Sequence, residues 1–169
     1  MAVDELLDES AFDPKKLFNE EEYSTLIIKR DGFSKQENSD ADLVEALLDN
    51  KNTRQEDEAI FASLKELKAQ DLLVNAIQST EVIDFKIKLL AACWETGLEF
   101  ANHFLFFVSM ACDTNFQIAM EALTVIENEE GTITPEVLHA ALALATNNSG
   151  GHSVLKQDLI EHIQSRINS

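Results

Sequence analysis

The stretch Asp84-Phe85-Lys86-Ile87-Lys88-Leu89-Leu90-Ala91-Ala92 returns, shifted by 31 residues, as Asn115-Phe116-Gln117-Ile118-Ala119-Met120-Glu121-Ala122-Leu123. A capping side chain, an aromatic ring, a branched apolar residue and a small alanine fall at the same places in both copies. Self-similarity at such a period is the sequence signature of a repeated supersecondary unit. Within each copy the apolar residues recur at three- and four-residue steps, which predicts a helix opened by Asp84 in one case and by Asn115 in the other.

Each copy follows another helical run, Asp71 to Gln78 before the first and Leu98 to Ala111 before the second, so the unit is a helix pair. A third pair fits after Gly131: Pro135 to Thr146, then Val154 to Ile167. In the latter, Leu155, Leu159, Ile160, Ile163 and Ile167 oppose Lys156, Asp158, Glu161 and Arg166. Upstream, Arg54 to Lys68 forms an amphipathic helix whose acidic start, Glu56-Asp57-Glu58, suits the positive end of the helix dipole. Asp40 caps a shorter helix carrying Leu43, Ala46, Leu47 and Leu48. At the N-terminus, Asp13-Pro14 begins a helical run that ends at Gly32 and is followed by a polar connection, Ser34 to Ser39. The reading is an N-terminal helical segment and linker over residues 1–39 and a helical-repeat-like domain over 40–169, or one continuous domain 1–169. The expected fold is all-α, either stacked antiparallel helix pairs or an irregular multi-helix bundle.

Asp84, Ile87, Lys88 and Ala91 resemble the motif of the HEAT and armadillo class of α-helical repeats, in which an Asp between paired helices precedes a branched residue, a basic residue and a small alanine. The second copy keeps Asn115, Ile118 and Ala122 but has Ala119 at the basic position. The likeness extends over residues 71–167. It implies a curved stack of helix pairs that serves as a binding surface or scaffold and performs no chemistry.

Composition points the same way. The chain has 169 residues, 45% of them hydrophobic and 26% charged, with five Gly and two Pro, too few breakers for a turn-rich β fold. Its net charge is −18, from 31 acidic against 13 basic residues. Such a field repels phosphate, so nucleic acid and anionic membrane surfaces are disfavoured, and a protein partner with a basic surface is expected. Met1 to Asp8 has no basic start or long apolar run, and Phe104 to Cys112 is too short to span a bilayer, so a cytoplasmic location is expected.

Candidate chemistry is sparse. Cys93 and Cys112 sit inside apolar helical patterns, where a thiol behaves as a small hydrophobe. His103, His139, His152 and His162 are isolated, and none has metal-ligand spacing to a Cys or another His. A calcium loop placed around Gly131 and Ile133 would put Ile126 and Val137 where side-chain oxygens are required. No phosphate-binding glycine loop or nucleophile elbow is present. No catalytic, cofactor-binding or metal-binding residue is assigned, and no cofactor is expected.

The expected function is a non-enzymatic protein-protein interaction or scaffold module with an acidic surface. Two alternatives stand beside it: a small acidic inhibitor or immunity-type protein binding a basic target, and a helical enzyme or apolar-ligand-binding bundle. The candidate partner surface lies on the predicted helix Leu98 to Ala111, where Glu99, Asn102, His103 and Ser109 trace a polar stripe with Phe106 in its middle. Trp94 follows Ile87, Leu90 and Ala91 at helical spacing, opposite Asp84, Lys88, Glu95 and Glu99, and is expected in the core.

Overall fold

The structure, a computed structural model, describes residues 40–169. The expectations for the run begun at Asp13-Pro14, its stop at Gly32 and the connection Ser34 to Ser39 lie outside the described residues. Those described form eight α-helices and no strand: α1 (Asp40–Leu48), α2 (Arg54–Glu66), α3 (Gln70–Ser79), α4 (Ile83–Glu95), α5 (Phe104–Ala111), α6 (Phe116–Glu127), α7 (Pro135–Asn147) and α8 (Ser153–Ile167). The all-α fold class read from periodicity holds.

Local chemistry explains where the helices start and stop. Thr53 and Glu56 form a capping box at the head of α2, each side chain satisfying a backbone N–H of the other. Asn115 caps α6 by accepting from the N–H groups of Gln117 and Ile118, and Thr134 caps α7 ahead of Pro135. Gly97, with φ of 60°, takes the left-handed position that ends α4. The two repeat copies do not start alike: Asp84 is the second residue of α4, and the N-cap position belongs to Val82, which has no capping side chain. The aligned Asp and Asn are therefore two positions apart in their helices. Asp84 favours the helix dipole there, where Asn115 closes a hydrogen bond.

The packing follows the pairs. α3 packs on α4, α5 on α6 and α7 on α8, while α4 meets α6, α6 meets α8, and α5 meets α7 and α8. The N-terminal ends of α6 and α8 lie together, since the Phe116 ring stands edge-on to His152 at 5.1 Å. Likewise the exits of α4 and α6 lie together, because the N–H of Phe100, just after α4, donates to the Glu129 carboxylate, just after α6. α4, α6 and α8 thus run in the same direction as a layer, which is the arrangement of successive helix pairs stacked side by side.

One continuous apolar core joins the pairs. Leu89, Leu90 and Cys93 of α4, Phe104, Phe107 and Val108 of α5, Ala122 and Ile126 of α6, Ala141 and Ala145 of α7, and Leu159 and Ile163 of α8 are all buried. The alanines allow the close helix approach, and the rings of Phe100 and Phe107 meet edge-to-face at 5.1 Å. α1 joins the core through Leu43 and Leu47, packing on α2, α3 and α4.

The predicted helix Leu98 to Ala111 is shorter than its periodicity implied. Residues Ala101–His103 form a 3₁₀ turn, and the α-helix begins only at Phe104. The reason is tertiary. Glu129 is buried with its carboxylate accepting from the N–H groups of Phe100 and Gly131, the latter at 2.6 Å, which holds the chain off an α-helical path. Arg166 of α8 donates to the carbonyls of Glu129 and Gly131 at 2.7 and 2.8 Å, and its guanidinium lies 5.9 Å from the centre of the Phe104 ring. A Cβ on Gly131 would come within 2.6 Å of the Glu129 carboxylate, so any larger residue there must displace the group that forms the clasp.

Candidate protein-docking site

The largest departure from expectation is Trp94, which is not in the core. The buried arc of α4 is centred on Leu89 and Cys93, and Trp94 is turned about 100° beyond Cys93, at the margin of that arc. It is 36% exposed. Its indole is nevertheless held: Nε1 donates to Glu121 Oε2 of α6 at 2.8 Å. Ile87 and Ala91, which shared the expected stripe, are only half-buried.

Beside Trp94 runs an open groove of about 770 Å³, lined by Arg54, Asp57, Glu58 and Phe61 from α2 and by Trp94 and Glu95 from α4. α2 packs chiefly on α1, and this leaves the space toward α4 unfilled. Its lining combines two aromatic rings, three carboxylates and the Arg54 guanidinium. Burial pushes the Glu95 carboxyl above its usual range, and the nearby carboxylates of Asp57 and Glu121 push it further, with Arg54 acting in the opposite direction. Arg54 itself is largely solvated and pairs with Glu58 at 3.0 Å. On the other side of Trp94 a second cleft, about 270 Å³, includes Leu98, Glu99, Val125, Asn128 and Glu130 in its lining. Trp94 is therefore a ridge between two grooves, each with acidic walls.

The four residues singled out in sequence are divided by the structure. Glu99 is exposed and belongs to the cleft beside Trp94. His103, Asn102 and Phe106 line a different cleft of about 290 Å³ together with Ile133, Thr134 and Val137. Phe106 is half-buried, its ring edge-on to Phe107 at 5.1 Å, and His103 Nε2 lies 2.7 Å from Asp71 Oδ1 of α3. Because the chain before Phe104 is not α-helical, Glu99 does not share a stripe with them, whereas Ser109 lies on α5 one turn beyond Phe106, its hydroxyl donating to the Phe106 carbonyl at 2.6 Å.

Most of the chemistry-bearing groups elsewhere are engaged in packing or hydrogen bonds, the exception being His162, whose buried Nε2 has no hydrogen-bond partner among the described residues. Cys93 is fully buried and its thiol pKa is driven strongly upward by burial; burial also raises that of Cys112. His139 Nδ1 meets the Pro135 carbonyl at 2.6 Å, His152 Nε2 meets the Thr114 carbonyl at 3.0 Å, and burial holds half-buried His162 below its ordinary pKa. Among the described residues, no three His, Cys, Asp or Glu side chains are gathered as a metal ion would need, and no helix is long and apolar enough to cross a membrane.

Sequence reasoning missed Trp94, Glu95 and Glu121 as a group. The available signal was angular: the indole falls one residue past Cys93, beside Glu95 and just before the helix-ending Gly97. No protein-family model, curated protein or solved structure matches the chain.

Proposed function

We propose that this chain is a non-enzymatic protein-docking module, a stack of helix pairs of the HEAT or armadillo kind, acting in the cytoplasm on a partner with a basic surface. The observation that supports the reading is Trp94, an indole fixed by Glu121 yet left about one-third exposed between two grooves. A large ring held in one orientation loses little entropy when a partner covers it, which is why such residues concentrate the energy of protein interfaces. The acidic walls add steering toward a cationic surface.

The test is reconstitution. A protein captured by the full chain from its native cell is purified separately, mixed back and sized at physiological salt. A two-component complex with exchange protection on α2, α4 or α6 is the expected result, and failure of any captured protein to re-form such a complex overturns the reading. Salt separates the acidic-inhibitor alternative: a purely charge-driven complex loses its association rate steeply as ionic strength rises, whereas one seated on aromatic surface keeps most of its affinity.

A further inference from the structure

Resting on that reading, we infer that the groove between α2 and α4 receives a basic segment of the partner, with an arginine or lysine laid over Trp94 and an apolar neighbour on Phe61. Charge complementarity selects this occupant. The groove and its rim bring Asp57, Glu58, Glu95 and Glu121 around two aromatic rings, with Arg54 as the one cation among the described residues that line it. The Glu121 bond occupies the indole N–H and leaves ring surface open, the geometry on which a cationic side chain gains both ring and carboxylate contacts. Crowding of Glu95 by Asp57 and Glu121 adds to the case, since an entering cation would relieve it. An acidic or a purely aliphatic segment would leave these carboxylates crowded and desolvated.

Arg54 sits where an incoming cation would compete with it. Its removal should therefore strengthen binding, a change opposite in sign to every other groove substitution.

The experiment uses the full chain and a short labelled peptide in which arginine alternates with leucine. Trp94 is the only tryptophan in the sequence, so its emission reports directly on the groove. Covering the indole should shift that emission to the blue, with the same saturation curve as the peptide anisotropy. Glu95→Gln with Glu121→Gln should weaken binding about tenfold, while the distant, equally charged pair Asp84→Asn with Asp158→Asn should change it less than about twofold. Trp94→Ala should weaken binding, and Arg54→Gln should tighten it more than Lys51→Gln does. Anisotropy that saturates without any change in tryptophan emission, or equal losses from the two acidic pairs, would show that the peptide feels only the diffuse field and would overturn the inference. If a reconstituted partner complex tolerates Trp94→Ala but not Phe106→Ala, docking is at the Phe106 cleft: the module reading stands and this inference falls. If neither complex nor peptide binding is found, both fall.

Discussion

Two aromatic residues, one on α5 and one on α4, do opposite things here. Phe107 is buried against Phe100 and Phe106, whereas Trp94 stands at the edge of its helix's buried arc with its far face in a groove. Removing the first leaves a cavity in the packed core, so Phe107→Ala should cost about 3 to 5 kcal/mol. Trp94→Ala removes a partly exposed ring and one hydrogen bond to a half-buried acceptor, so its cost should stay below about 2 kcal/mol. Urea denaturation of the two variants checks the pair. A Trp94→Ala loss as large as that of Phe107→Ala would place the indole back in the core, where its spacing with Ile87 and Leu90 had suggested it belongs.

At the scale of elements, the start of α2 carries a pH signature. The N–H and hydroxyl of Thr53 both donate to the Glu56 carboxylate and hold its pKa below the ordinary 4.5. A lowered folded-state pKa means stability that is present above the unfolded value and is lost as pH falls through the folded one. The first turn of α2 should therefore open on acidification below about pH 4.5, and Glu56→Gln should flatten that response because an amide does not titrate in this range. Amide exchange at Asp57 and Glu58 reads it, and an unchanged response in the variant would remove the capping box as its cause. The groove depends on this turn, since Arg54, Asp57 and Glu58 line one wall. The helix pattern from Arg54 onward was plain in the sequence. The Thr53-to-Glu56 reciprocity is a local signal too, but the acidic run Glu56-Asp57-Glu58 had been read only as a match to the dipole.

For the whole molecule, a net charge of −18 works against compactness. The ion pair Arg54–Glu58 is largely exposed, and a pair of that kind contributes only a few tenths of a kcal/mol. Screening should therefore stabilise the isolated protein: raising salt from about 10 mM to about 150 mM brings the Debye length from about 30 Å to about 8 Å and should raise Tm by a few degrees. A Tm that falls over the same interval would mean that attractive pairs outweigh repulsion.

Periodicity by itself determined that the described residues are helical and, apart from the shortened run Leu98 to Ala111, where their helices lie, because the three- and four-residue spacing of apolar groups is a local property written in the order of residues. It also located the thiols of Cys93 and Cys112 in the interior. What only the tertiary structure decided are matters set by neighbours far away in the chain. The buried Glu129 and the reach of Arg166 across to it break the expected Leu98 to Ala111 helix and take Glu99 out of its polar stripe. The packing of α2 on α1 opens the groove, and the approach of Glu121 from α6 turns Trp94 from an expected core residue into a fixed and exposed one. A helical wheel gives the angle of a side chain about its own axis; whether a second helix comes to cover that angle depends on where the rest of the chain packs.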